Sequence, residues 1–174
     1  MRLSNPLKLL IPVQEIHVET IVNDVVYSKL LNFVRIHQPI CLVIGPNEHF
    51  LKVLFGADSL EPNEYKNILK QRYSHLSKFV RIGLHTHLYH KYSLTKLDYD
   101  AQFKKMSEGK QFLESIGLKI IDFAPGWWNY DENTIKTCQK LGLTRFHARE
   151  KLYDLSTSKI EFIQVRKFTH DYDL

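Results

Sequence analysis

The residues best suited to chemistry crowd into Ile82-Gly-Leu-His-Thr-His-Leu-Tyr-His90, where three of the chain's nine histidines, His85, His87 and His90, fall within six positions. Neutral imidazole is the commonest metal ligand, and clusters of it hold divalent transition metals. The apolar residues Phe79, Val80, Ile82 and Leu84 lead into the cluster. That pattern predicts a β-strand carrying imidazoles to its C-terminal end, where sites gather in folds with parallel strands. His85 and His87, two apart, share one face of such a strand. His90 can return to them from the turn beyond. A polar loop that tolerates histidine is the simpler alternative, and three in six positions favours a site.

A second polar stripe lies near the start. Glu15, His17 and Glu19 alternate with Ile16 and Val18, so period two places the three polar groups on one face. Either a site at the strand end or an edge strand with a wet face accounts for it.

The elements that must position these groups follow from the apolar spacing. Residues 7–19 read as a first strand. Asn23 or Asp24 caps a helix with Tyr27, Leu30, Leu31 and Val34 on one side, and Pro39 stops it. Ile40-Cys-Leu-Val-Ile44 is wholly apolar, as expected of a central parallel strand. A short segment, 48–55, leads to Gly56. Pro62 suits the first turn of a helix striped by Tyr65, Ile68, Leu69, Leu76 and Phe79. After the histidine strand, Thr95 or Asp98 opens a helix bearing Tyr99, Phe103, Met106, Leu113 and Ile116, closed near Gly117. Leu118–Phe123 is a strand ending in the loop Ala124-Pro-Gly-Trp-Trp-Asn129. Asp131 caps a helix closed by Gly142, Leu143–His147 is a strand, and the tail has strand pieces at Lys159–Val165 and Lys167–His170. Strand and helix alternating along one chain predict parallel strands with right-handed crossovers. An open doubly wound sheet and an incomplete or distorted β/α barrel both fit.

The 174 residues make one domain, 1–174, the expectation. Net charge is +5, but the basic residues are scattered singly or in pairs and no nucleic-acid motif occurs, so the excess reads as solvated surface and no nucleic-acid partner is expected. No GxGxxG or P-loop follows a strand. Lys8 and Pro12 interrupt the apolar start and no segment is long enough to span a bilayer, so neither a signal peptide nor a membrane partner is expected. Cys41 and Cys138 lie far apart with no CxxC, which suits two core thiols in a reducing cytoplasm.

Taken in order, the motifs resemble those of the polysaccharide deacetylases, metal-dependent carbohydrate esterases on an incomplete β/α barrel. Gly83-Leu-His-Thr-His-Leu-Tyr-His90 resembles the family's His-Ser/Thr-x-x-His metal motif. Phe123-Ala-Pro-Gly-Trp127 resembles its Arg-x-Pro loop, with Gly142-Leu143 where the family has a Gly-aromatic strand entry. Phe168-Thr-His-Asp-Tyr172 resembles its closing strand with a Leu-x-His histidine. There are departures. Tyr89 stands four residues after His85, leaving His90 or His87 as the second ligand. The family's Asp-Asp pair has only Glu19-Thr20, with Asp24 further on, as its nearest match, and Phe123 replaces the motif arginine. Too few residues separate Gly142 from Phe168 for a full helix-containing unit.

The resemblance implies a deacetylase-like incomplete barrel that hydrolyses an acetyl amide on a sugar with a divalent metal, zinc by its donor type. His85 with His90 or His87, helped by Asp24 or Glu19, would hold the metal. Glu19 would act as base, and His170 as acid toward the leaving nitrogen, the unperturbed imidazole pKa of about 6.5 suiting that task. Pro125, Trp127, Trp128 and Tyr130 would face a small-molecule or oligosaccharide substrate. Two other readings stay open. The His85-x-His87 pair also resembles amidohydrolase and phosphoesterase barrels, which carry it on their first strand rather than about the third. A non-catalytic relative that keeps the barrel as a binding surface is the other.

Overall fold

The computed structural model describes residues 14–46, 60–87, 94–157 and 159–174. Of the first expected strand, residues 15–18 form β1 (Glu15–Val18), while 7–13 lie outside the described residues, as do His90 and the 48–55 segment. The chain continues through α1 (Asp24–His37), β2 (Ile40–Ile44), α2 (Pro62–Leu76), β3 (Ile82–Thr86), α3 (Tyr99–Glu114), β4 (Asp122–Pro125), α4 (Glu132–Leu141), β5 (Arg145–Ala148), β6 (Lys151–Asp154), β7 (Glu161–Val165) and β8 (Phe168–His170).

Local chemistry sets the helix ends. The Asn23 side-chain oxygen accepts from Val25 and Val26 N–H, and Asp98 does the same for Ala101 N–H. Pro62 sits in the first turn of α2, where its missing N–H costs nothing. Asp131 and Thr134 exchange side-chain bonds with each other's backbone at the start of α4, and Gly142 ends it at φ +70°, a conformation that glycine adopts without steric cost.

One curled eight-stranded sheet runs in the order β7-β6-β5-β4-β3-β2-β1-β8. The pairs β1–β2, β2–β3, β3–β4, β4–β5 and β1–β8 are parallel, giving the expected incomplete barrel. β5–β6 and β6–β7 are antiparallel, which the alternating pattern did not foretell. The stretch too short for helical units is spent on these two strands, which return directly without a crossover helix.

Period-two alternation divides the sheet into two faces. Ile16 and Val18, Cys41 and Val43, Ile82 and Leu84, Phe123 and Phe146 point outward and join the core with Leu30, Val34, Tyr65, Leu69, Tyr73, Met106 and Leu113 of the helices. Each fully buried leucine or valine there contributes about 1.5–3 kcal/mol. The inner face is different. It has a small apolar patch, Ile40, Leu42 and Ala124 with Trp128 against it, and otherwise a column of charged and imidazole side chains. Gly83 makes room for that column, since a Cβ there would lie 2.6 Å from Asp122 Cβ and 2.7 Å from a Leu42 methyl. Both cysteines are buried and free, and burial pushes both thiols far up, so neither is set up as a nucleophile. Among the described residues, no helix is long and apolar enough to cross a membrane.

Candidate functional site

β1 and β3 are separated by β2 alone, and curling of the sheet brings their inner faces together at the C-terminal end. His17 comes from β1, Glu19 from the residue just past it, His85 from β3 and His87 from the residue just past that strand. All four are buried. His17 Nδ1 lies 3.2 Å from His85 Nε2, and His87 Nε2 lies 2.6 Å from the same atom. Glu19 Oε1 is 3.2 Å from His85 Nε2 and 3.0 Å from His87 Nε2.

The outer partners fix what these atoms present. His17 Nε2 lies 2.8 Å from Glu15 Oε1, which ionised can only accept, so neutral His17 carries its proton there and turns a lone pair inward at Nδ1. His85 Nδ1 lies 3.0 Å from the Ala124 carbonyl oxygen, so Nε2 of neutral His85 is likewise a lone pair. The His17 lone pair and a Glu19 carboxylate oxygen thus both lie 3.2 Å from the His85 lone pair. Acceptors facing acceptors repel unless a proton or a metal cation lies among them. A proton is poorly held. Burial, and then the neighbouring His85, push His17 down to about 3 and His87 down to about 4. Burial pushes the Glu19 carboxyl up, but the His85 and His87 imidazoles beside it outweigh that and hold it ionised, well below the usual carboxylate range.

A divalent transition metal fits this donor set. His17, Glu19 and His85 offer ligand atoms all within 4.8 Å of one another, and His87 adds a third imidazole beside them. Spacings near 3 Å are those of ligands sharing one ion with bonds of about 2.0–2.1 Å. Glu15 is the carboxylate that fixes the His17 imidazole from behind, as the outer partners of metal-binding imidazoles do. His17 and Glu15 were legible in part, as the alternating polar stripe; what the stripe lacked was any sign that β1 lies inside the barrel.

The cleft over these residues has a volume of about 270 Å³ and is lined by His17, Glu19, His85, His87, Trp127, Trp128, His170 and Tyr172. β8 pairs with β1 so that His170 stands opposite His17, and their rings are 5.3 Å apart. The His170 ring stacks on Tyr172, 4.8 Å between centroids, with its Nδ1 3.5 Å from Asp173 Oδ2. Asp171, one residue on, is buried, and its Oδ2 accepts from the backbone N–H of Glu19 (3.1 Å) and Thr20 (2.8 Å). It ties the end of β8 to the residue carrying the Glu19 carboxylate. Burial pushes Asp171 up to about 6 against the pull of those N–H groups.

The tryptophan loop closes the other wall. Gly126 is pressed on β3: a Cβ there would lie 2.7 Å from the Thr86 carbonyl oxygen and 2.9 Å from His87 Nδ1. Trp127 and Trp128 then both adopt φ +57°, a left-handed conformation that L residues take at some cost and that gathers at functional sites. Trp127 presents its edge to His87 and is half exposed, while Trp128 packs against His17 and Phe168. Pro125 ends β4 paired with Thr86, and Tyr130 packs on Phe146; neither lines the cleft. Asp24 is also apart. It opens α1 with an exposed side chain paired to Arg72, away from the cleft, and it is His17 that stands beside Glu19, His85 and His87 there. Proximity in sequence to Glu19 was the misleading signal, because the turn at 21–23 carries the chain out of the barrel before Asp24.

The sequence matches no known family model and no curated protein. Solved structures do match. A Mycobacterium smegmatis protein assigned as a polysaccharide deacetylase superposes over 78% of this chain and 50% of its own, with TM-score 0.55 and 14% identity. The Streptococcus pyogenes deacetylase PplD, in complex with acetate, superposes over 87% of this chain and 62% of its own, with TM-score 0.56 and 13% identity. The chain therefore spans half to three-fifths of the length of these two proteins, and the fold it shares with them is the deacetylase half-barrel.

Proposed function

We propose that the chain is a metal-dependent hydrolase that removes acetyl groups from the nitrogen of an acetylated sugar. One observation carries this reading: the lone pairs of His17 and His85 and the Glu19 carboxylate converge, with His87 beside them, at the strand end of a deacetylase-like barrel. His17, His85, His87 and Glu19 would hold the ion, and imidazole-rich donors suit zinc, cobalt or nickel better than magnesium. Such an ion supplies Lewis acidity toward an acyl carbonyl and toward the attacking water.

The remaining work falls to side chains. Glu19 Oε1 faces His85 and His87 while Oε2 makes no hydrogen bond among the described residues, which leaves it to take a proton from water as the C–O bond forms. His170, across the cleft, gives a proton to the nitrogen as the C–N bond breaks, so that acetate and a free amine leave. The S. pyogenes neighbour is known with acetate, the acid this reaction releases. The half-exposed Trp127 offers a flat apolar face for a sugar ring at the cleft mouth.

The test is acetate release from N-acetylated oligosaccharides by metal-loaded protein, run beside a panel of phosphoesters. Metal-dependent acetate release lost in His170→Ala, with kcat falling far more than KM rises, is the expected result. Turnover of phosphoesters alone would move the chain to the phosphoesterase reading. Stoichiometric metal with no turnover on either panel would make it a binding module.

A further inference from the structure

The opposite end of the barrel holds a second cavity, of about 420 Å³, that the proposed chemistry does not use. It lies where the parallel strands begin: Gln14 precedes β1, Arg81 precedes β3 and Arg145 opens β5, while Gln164 and Arg166 arrive from the end of β7. Three guanidinium groups from three separate segments therefore face one space. They are far apart in sequence, so the basic excess that reads as scattered surface is partly gathered here.

The local charges do not balance. Arg81 and Arg145 share a single carboxylate, with Arg81 Nε 2.8 Å from Asp122 Oδ2 and Arg145 Nε 3.1 Å from Asp122 Oδ1. His147 Nε2 takes that same Oδ1 at 2.8 Å. Arg166 has only 8% of its surface exposed, and among the described residues no carboxylate lies within ion-pair distance of it. Its partners are the Gln14 carbonyl oxygen at 3.4 Å and, with the Gln164 amide oriented to accept, that oxygen at 2.9 Å. Glu15 stands behind Asp122 but is held by His17 and His147. The carbonyl end of α1, worth about half a negative charge, borders the cavity without offsetting the three guanidiniums, and His37 sits on that last turn. A buried guanidinium without an anion in ion-pair contact is costly, and burial, helped by the neighbouring Arg145 and Arg81, lowers the Arg166 pKa against the pull of the more distant Glu15 and Asp122 carboxylates.

We infer that this basal cavity is a binding site for a phosphate-type oxyanion, held between Arg81, Arg145 and Arg166. Guanidinium presents donors in a planar fork matched to phosphate and carboxylate oxygens. Approach from three walls suits a tetrahedral group better than a planar carboxylate, which one bidentate arginine saturates. The cavity exceeds the free ion in size, so the phosphoryl group can arrive alone or on a small molecule.

Inorganic phosphate titrated at constant ionic strength into the metal-loaded chain and into His85→Ala separates this site from the metal centre. Saturable binding that persists in His85→Ala and weakens at least about tenfold in Arg81→Gln, with acetate far weaker, is the expected result. In the parent protein, phosphate should also protect Arg81 and Arg145 from phenylglyoxal, mapped by mass spectrometry, which needs no variant to fold. Glucose 6-phosphate protecting the same arginines at lower concentration identifies a phosphorylated small molecule as the source, and protection by phosphate alone identifies the free ion. No protection at saturating phosphate, or binding abolished by His85→Ala and unchanged in Arg81→Gln, overturns the assignment.

Discussion

Two buried clusters of ionisable side chains stand at different depths of the same barrel, and the fates of their histidines are opposite. Deep in the column, His147 lies between two carboxylates, 2.6 Å from Glu15 Oε2 and 2.8 Å from Asp122 Oδ1, so both ring nitrogens have acceptors. Burial pulls its pKa down, but the hydrogen bonds to Asp122 and Glu15 outweigh that and raise it. At the strand ends, His17 and His87 are crowded by His85, and burial pushes them to about 3 and about 4. One residue type in one hydrophobic shell thus serves as a cation within an ion network or as a set of lone pairs. The neighbours decide which. Alternating donors and acceptors build structure, whereas convergent acceptors require something from outside the chain.

The largest expected effect separates the two clusters. His85→Ala should abolish stoichiometric binding of zinc, cobalt or nickel, read by elemental analysis after reconstitution, because it removes the lone pair that the other three donors face. In the metal-free state it should cost less folding stability than His147→Ala. That second variant leaves Glu15 and Asp122 buried without their shared partner, a loss of about 3–5 kcal/mol seen as a lower denaturant midpoint. Equal stability losses in the two metal-free variants would erase the distinction.

Glu15 joins the clusters, bonding His17 on one side and His147 on the other. Glu15→Gln keeps the shape and removes the charge that orients His17, so metal affinity should fall about 10–100-fold, in the range of second-layer substitutions at metal sites. A competition titration against a chromophoric chelator measures it. Affinity equal to the parent's would mean that His17 needs no anchor.

Much of the fold was readable and the site only in part, for physical reasons that particular residues make plain. Asn23, Pro62, Asp98, Asp131 and Gly142 carry their element boundaries in their own chemistry, so capping and period gave the helices. β6 did not show, because a four-residue hairpin strand with a single fully buried side chain, Leu152, lacks the apolar run of β2. β4 starts at Asp122 rather than Leu118, since residues 118–121 form no regular element after the turn that ends α3. His85, His87 and Glu19 stood out by type and clustering. His17, Glu15 and Asp122 needed the third dimension: a polar stripe reads as a wet edge until the barrel folds around it. Asp24 misled for the converse reason, nearness along the chain without nearness in space.

Acid should expose the difference between the clusters in chelator-treated protein. His17 and His87 have folded values below the unfolded one of about 6.5, so the folded chain refuses protons that the unfolded chain accepts. Their contribution to stability falls as pH drops from about 6.5 toward about 4 for His87 and about 3 for His17. His147 has the opposite sign: raised in the fold, its contribution is full below about 6.5 and is lost as pH rises through its folded value. Thermal melts across this range should show the acid-side loss removed selectively in His17→Gln. An acid limb unchanged in that variant would assign the loss to other groups.

The smallest expected effect is at Asp24, and it sharpens the comparison because the residue is close to Glu19 in sequence but exposed. Asp24→Asn removes a surface ion pair with Arg72 and a negative charge from the first turn of α1. Exposed pairs contribute about 0–1 kcal/mol, and a first-turn carboxylate about 0.3–1 kcal/mol, both screened by salt. The denaturant midpoint should move by about 1 kcal/mol or less, and less still at high salt. Metal stoichiometry and affinity should match the parent protein, since the Asp24 side chain pairs with Arg72 at the surface and does not line the cleft that holds His17, Glu19, His85 and His87. Asn23 still caps the helix through its side-chain oxygen, so α1 keeps its start. If instead the variant loses metal, the turn after Glu19 must swing Asp24 inward on binding, and the metal centre would then be a three-imidazole, two-carboxylate site assembled by the ion itself.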